Sequence, residues 1–173
     1  MRVVAGEFKG RRLSAPRGVV TRPTADRVRE ALFSMLADVS GARVLDLYAG
    51  SGALGIEALS RGASEAVFVE RDARAVAAIR RNLDAIQVAA DVRQEDALAF
   101  VRRATGPYDL VFADPPYDFA SRVAGPLAEH LPRITSEGAL MVTESDKRKP
   151  LELPFPLLTE RTYGDTRIAI HGR

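Results

Sequence analysis

Val44-Leu45-Asp46-Leu47-Tyr48-Ala49-Gly50-Ser51-Gly52-Ala53-Leu54-Gly55 is the stretch on which the fold turns. Five residues of mostly apolar, strand-forming character, Val44–Tyr48, lead through Ala49 into three glycines spaced as G-x-G-x-x-G. A helical pattern, Ala53–Arg61, follows at once. Glycines in that place let the backbone turn sharply and come close to a ligand, at a helix N-terminus whose free amides donate. Glu70 lies twenty residues beyond Gly50 and ends the next apolar run, Ala66–Glu70. A carboxylate there can accept from both ribose hydroxyls of a nucleoside cofactor. The pattern suits NAD as well as any other such cofactor. Asp46 separates the two readings. A carboxylate inside the strand, four residues before Gly50, would repel a pyrophosphate. It suits S-adenosyl-L-methionine, which has no phosphate and carries an ammonium and a sulfonium.

Working outward, strand and helix signals alternate. Asp72 is placed to cap a helix reaching about Ala85, with Ala75, Val76, Ile79 and Leu83 on one face. Val88–Arg93 reads as a weaker strand and Ala97–Ala104 as a helix. Leu110–Ala113 is a short apolar run of the kind buried on both faces. Ala120–Leu131 reads as a helix and Ala139–Glu144 as a strand. Leu157–Tyr163 and Thr166–His171, around Gly164-Asp165, read as an antiparallel hairpin. At the other end, Arg2–Ala5 and Arg11–Leu13 flank two glycines as a short hairpin. Thr24 and Asp26 can cap a helix to about Leu36. Repeated βα units imply a mostly parallel sheet with helices on both faces.

Length and charge set further bounds. A chain of 173 residues is one domain's worth, with no room for a separate substrate domain. It has no cysteine and two histidines, His130 and His171, far apart. That excludes disulfides, thiolate metal sites and cysteine nucleophiles, and no metal is expected. No apolar run is long enough to span a bilayer, and the N-terminus lacks the apolar region of a signal. A cytoplasmic location without membrane contact is expected. Net charge is +2, but residues 1–30 hold eight basic and three acidic side chains, net +5, while the remainder is −3. A basic end on a slightly acidic body suggests an arm that meets a polyanion. An ordinary solvated surface would also carry such charges.

The second motif is Asp114-Pro115-Pro116-Tyr117, directly after the Leu110–Ala113 run. Strand C-terminal ends form the ligand crevice of a doubly wound sheet. Two prolines make the turn rigid, and their missing N–H groups leave the carbonyls as pure acceptors. The Asp114 side chain and the Pro115 carbonyl then offer two acceptors to an exocyclic –NH₂ of a nucleobase, and Tyr117 offers a face for stacking.

Asp114-Pro115-Pro116-Tyr117 resembles the (D/N/S)-P-P-(Y/F/W) motif of class I S-adenosylmethionine-dependent amino-methyltransferases. The opening Arg2–Leu13, the block Arg22–Phe33, Asp46–Gly62 and Tyr163-Gly164-Asp165-Thr166 are more specific. Together they resemble the RsmD family, bacterial methyltransferases acting on the guanine 2-amino group of 16S ribosomal RNA. The resemblance spans essentially the whole chain. It implies a Rossmann-like α/β fold: a seven-stranded, mostly parallel sheet with an antiparallel C-terminal strand and an N-terminal hairpin extension. Residues 1–23 would be the basic, RNA-contacting extension and 24–173 the methyltransferase domain. Asp46, Gly50, Ser51 and Gly52 would border the methionine part of the cofactor, with Tyr48 and Ala49 in the same turn. Glu70 would hold the ribose, Arg71 would lie beside the adenine, Asp96 and Ala97 would meet the adenine amino group, and Thr24 would approach the carboxylate. Asp114, Pro115, Pro116 and Tyr117 would form the catalytic turn. Arg2, Lys9, Arg11, Arg12 and Arg22 would grip RNA. The implied partner is 16S rRNA, within an assembled or assembling small subunit, and a monomer is expected. Three other readings stay open on the residues: an adenine-N6 methyltransferase of DNA or RNA, an NAD-dependent oxidoreductase, and a noncatalytic RNA-binding protein.

Overall fold

A computed structural model describes residues 1–16, 26–36 and 38–173, and gives the backbone but not the side chain of Tyr117. Thr24 and Arg22 therefore lie outside the described residues. The elements in chain order are α1 (Asp26–Met35), β1 (Arg43–Leu47), α2 (Ala53–Ser60), β2 (Glu65–Glu70), α3 (Ala73–Ile86), β3 (Asp91–Gln94), α4 (Ala97–Arg103), β4 (Tyr108–Ala113), α5 (Ala120–Ile134), β5 (Thr135–Asp146), β6 (Leu157–Tyr163) and β7 (Thr166–Gly172). The sheet has seven strands in the order β3-β2-β1-β4-β5-β7-β6. β1 to β5 run parallel, and β7 is antiparallel to both β5 and β6. The order reverses between β1 and β4, so a crevice opens at their C-terminal ends.

Strand parity sorts the core into two layers. Val44, Phe68, Leu110, Phe112 and Val142 point to the face covered by α1, α2 and α3. Leu45, Leu47, Val69, Val111 and Met141 point to the face covered by α4 and α5. Burial on both faces is why these strands read as continuous apolar runs. The third glycine of the quoted stretch is a packing residue: a Cβ on Gly55 would stand 2.4 Å from the Phe68 ring. Gly52 is the helix N-cap in a left-handed conformation, φ 77°.

Three boundaries differ from the expectations. The third strand is Asp91–Gln94 rather than Val88–Arg93, because α3 ends on a left-handed Gln87 and the Val88 amide donates to the Leu83 carbonyl. Val88 and Ala90 pack on the core from the loop instead. The fifth helix continues through Pro132 to Ile134, and β5 begins at once, four residues before Ala139. At the N-terminus the described residues of the hairpin form a single antiparallel bridge, Arg2 with Arg12, flanked by backbone bonds from Val3 to Arg11 and from Leu13 to Met1.

That hairpin is fastened to α2. Glu57, fully buried, accepts from the amides of Val4 (2.8 Å) and Ala5 (3.0 Å). The Ser60 hydroxyl donates to the Ala5 carbonyl and accepts from the Phe8 amide, while the Glu7 amide donates to the Ser60 carbonyl. Val3 and Leu13 are buried in the same core layer as α1 and α2.

Candidate active site

The switch point of the sheet holds a cavity of about 720 Å³, walled by the ends of β1, β2, β4 and β5 and the segments that follow them. That size is in the range of small-molecule and cofactor sites. It brings together Asp46, Tyr48, Ala49, Gly50, Ser51, Glu70, Arg71, Asp96, Ala97, Asp114, Pro115 and Pro116. Gly52 is not in the cavity wall; a Cβ on it would stand 3.3 Å from the Ile79 and Phe68 side chains. Tyr117 opens a single 3-10 turn to Phe119. Arg2, Lys9, Arg11 and Arg12 are exposed on the hairpin, whose first residue, Met1, reaches the cavity wall and accepts from the Ser51 hydroxyl through sulfur.

The turn after β1 is held from both sides. Tyr48 sits at φ 59°, a left-handed conformation that costs a non-glycine residue and recurs at functional sites. The Gly50 amide donates to Glu70 Oε2 at 3.0 Å, and the Asp72 amide donates to Glu70 Oε1 at 2.8 Å. One carboxylate at the end of β2 thus ties two turns together at the cavity edge. Asp72 caps α3, accepting from the Arg74 and Ala75 amides. Asp96 caps α4, accepting from the Ala99 amide at 3.0 Å.

Parity explains the acidic floor. Asp46 pairs in register with Phe112, and Phe112 with Val142. Asp114 and Glu144 are the next outward positions of the same parity on β4 and β5. All three carboxylates therefore leave adjacent strands toward one face, and all line the cavity. Burial pushes the Asp46 carboxyl up to about 8, against the opposing 2.9 Å bond from the Gly55 amide, with the Glu70 charge adding to the rise. Burial also lifts Asp114 well above the carboxylate range, with the charges of Glu144 and Asp46 pushing the same way. Tyr48 is raised to about 12 by burial and then by Asp96, with Arg71 opposing.

Glu144, Arg29, Phe119 and Arg122 also line the cavity, and none was among the expected site residues. Glu144 carried the same signal as Glu70, an acidic residue closing an apolar run. Arg29 carried none, being one of two arginines on an amphipathic helix. It is fully buried, its Nη2 donates to the Arg2 carbonyl and to Asp26, and its Nη1 has no partner among the described residues. Its Nε lies 3.5 Å from Glu57 without hydrogen-bond alignment. Phe119 is partly exposed, with the guanidinium groups of Arg71 and Arg122 over its ring at 5.8 and 5.5 Å.

Among the described residues no group of His, Cys, Asp and Glu is arranged to hold a metal ion, and no helix is long and apolar enough to cross a membrane.

Comparison with known proteins supplies the context for this site. The family described as Conserved hypothetical protein 95 matches residues 1–172. The Ribosomal RNA small subunit methyltransferase D of Haemophilus influenzae is 36% identical over 174 residues, covering 95% of this chain and 89% of its own length. A hypothetical protein of Thermus thermophilus superposes with a TM-score of 0.86 at 31% identity, covering 99% of this chain and 98% of that one. The 16S rRNA N2 methyltransferase RsmC of T. thermophilus, solved with AdoMet and guanosine, superposes with a TM-score of 0.72 at 25% identity, covering 91% of this chain and 44% of that one. AdoMet is S-adenosylmethionine, and these matches favour none of the adenine, oxidoreductase or noncatalytic readings. Matched along nearly its whole length, the chain belongs to the Conserved hypothetical protein 95 family, the RsmD-type class I methyltransferases.

Proposed function

We propose that this protein transfers a methyl group from S-adenosyl-L-methionine to the exocyclic 2-amino group of a guanine in 16S rRNA. The observation that carries the reading is the convergence of Asp46, Asp114 and the Pro115-Pro116 turn in one cavity at the sheet's switch point. When bound, S-adenosylmethionine supplies a methyl made electrophilic by its sulfonium. The residues present fit such a ligand at both ends. Asp46, a buried carboxylate with no cationic partner among the described residues, suits the ammonium and sulfonium. Arg29, buried in the same wall with an Nη1 that has no partner among the described residues, suits the carboxylate. Glu70, Arg71, Asp96 and Ala97, at the far side, suit the ribose and adenine.

The nucleophile is poor, because the guanine amine lone pair is delocalised into the ring. Asp114 and the Pro115 carbonyl accept the two N2 hydrogens, favour the lone pair turning toward the methyl, and disperse the positive charge that grows on nitrogen. Positioning of this kind supplies about 7–11 kcal/mol in well-oriented systems. Asp114 begins with a raised carboxyl, and a cation beside it together with donors from the base favours its ionised form. The base must be extruded from any stack, at a cost of a few kcal/mol. Tyr117 from the turn and Phe119 at the mouth are aromatic groups on which it can stack.

The same reading assigns residues 1–23 to RNA contact, through Arg2, Lys9, Arg11, Arg12 and Arg22, and residues 24–173 to catalysis, with Thr24 beside the cofactor. It takes 16S rRNA in an assembling small subunit as substrate and the monomer as the acting form. Asp114→Ala tests the chemistry. Single-turnover methylation of unmodified rRNA is expected to fall by about 10²–10³, with S-adenosylmethionine affinity kept within a few-fold. A near-normal rate in a folded variant makes Asp114 structural and overturns the mechanism.

A further inference from the structure

Glu144 is a second acidic side chain beside Asp114, and the methyl-transfer step gives it no task. β4 and β5 are parallel, with Ala113 opposite Thr143. The next residues, Asp114 and Glu144, therefore leave neighbouring strands side by side, about 4.8 Å apart in the sheet. Both line the cavity, and Glu144 is only 8% exposed. Even numbering along β5 puts Glu144 on the face of Val142, the same face that carries Asp46 and Phe112.

Two carboxylates held together in a desolvated place oppose each other's ionisation, and the Glu144 charge does act on Asp114 in this sense. A glutamine at this position would have nearly the same shape without that repulsion. The arrangement makes sense when a ligand brings two adjacent donors to the pair. Arg29 Nη1, fully buried in the same wall and without a partner among the described residues, independently marks the cavity as built for a polar ligand.

The Watson–Crick edge of guanine has two adjacent donors, the N1–H and the 2-amino group. Adenine offers its 6-amino group beside an N1 that only accepts. Resting on the function proposed above, we infer that Glu144 selects guanine by accepting the N1–H, while Asp114 and the Pro115 carbonyl hold the 2-amino group. A base with an acceptor at N1 meets a carboxylate with no proton between them. Sites built to hydrogen-bond one group reject analogues lacking it by about 10⁴–10⁵.

The test uses the full chain and an rRNA fragment whose methylated guanine has first been located by label mapping. That position is then synthesised as guanine or as 2-aminopurine, which keeps the 2-amino group but accepts at N1. The wild-type protein is expected to prefer guanine in kcat/KM by at least about a hundredfold. Glu144→Gln, whose amide can donate to an N1 acceptor, is expected to bring that ratio to within about tenfold, by losing activity on guanine and gaining it on 2-aminopurine. A merely structural Glu144 would lower both rates together and leave the ratio unchanged, which overturns the inference. So does equal use of the two bases by the wild-type protein, a measurement that holds even if the variant folds poorly. Methyl transfer to a base other than guanine overturns the proposed function itself, and that outcome is visible at the mapping step.

Discussion

Asp46 is a carboxyl whose environment in the free protein opposes the state its proposed ligand needs. Its folded-state value, about 8, stands above the 3.8 of an unperturbed aspartate, so the folded chain keeps a proton that the unfolded chain loses. Through linkage, the free protein loses stability as pH rises from about 4 through about 8, and Asp114 acts in the same direction. Asp46→Asn removes its share. The melting temperature of the variant should match the wild type below about pH 4 and exceed it by a growing margin up to about pH 8, while its affinity for S-adenosylmethionine falls. Calorimetric melts across that range decide the matter, since parallel curves would mean that Asp46 is ionised throughout. A cationic ligand should also bind the wild type more tightly as pH rises over the same window, with release of a proton. Glu70 shows the opposite design. Its two oxygens are already occupied by the Gly50 and Asp72 amides, so this carboxylate holds the turn as well as facing the cavity.

At the scale of elements, α2 links the site to the N-terminal hairpin. Its first residues, Ala53 and Leu54, line the cavity, and its Glu57 and Ser60 bind the hairpin backbone. Glu57 also sits against two guanidinium groups, Arg61 at 2.9 Å and the buried Arg29 at 3.5 Å. Removing one partner of a buried ion pair strands the other, at a cost of about 3–5 kcal/mol. Glu57→Ala should therefore lower unfolding stability by about that amount. It should also expose the bonds after Arg11 and Arg12 to trypsin. Denaturant titration showing a drop of less than about 1 kcal/mol, the range of surface pairs, would mean that water replaces the carboxylate. A Cβ on Gly6 would stand 1.7 Å from the Ser60 carbonyl oxygen, so the hairpin has no slack against the helix.

For the whole molecule, the uneven charge becomes a geometric matter. Arg2, Lys9, Arg11 and Arg12 lie on a hairpin whose base reaches the cavity wall through Met1, and Arg71 and Arg122 line the same cavity. Arg11 and Arg12 are exposed and form no ion pair with a described residue. Changing both to Ala should weaken RNA binding and reduce the log–log salt slope by roughly 0.7–0.9 for each phosphate that is no longer neutralised. Melting temperature and S-adenosylmethionine affinity should hold, since exposed arginines contribute little to the core. A salt titration with an unchanged slope would make the arm an ordinary solvated surface.

Much of this architecture was legible in one dimension. Apolar runs closed by an acidic residue or by glycines marked β1, β2 and β4, and Asp72 marked the start of α3, because strand burial and helix capping depend on near neighbours in the chain. The Asp114–Tyr117 turn and the glycine stretch were legible for the same reason. Residues whose role is set by distant partners were not. Arg29 is 28 residues from the Glu57 it faces, and nothing in its own helix distinguishes it from Arg27. β3 begins three residues later than the apolar pattern suggests because a left-handed Gln87 ends α3 and Val88 folds back on it. The hairpin's attachment joins residues far apart in the chain, 53 positions for Val4 and Glu57, through backbone amides that carry no sequence signature. Local sequence determined which elements form and which of them carry reactive groups. Only the packing of parallel strands, through register and side-chain parity, decided that Asp46, Asp114 and Glu144 would share one desolvated floor. A carboxylate's chemistry is set by what surrounds it, and its surroundings come from three separate strands.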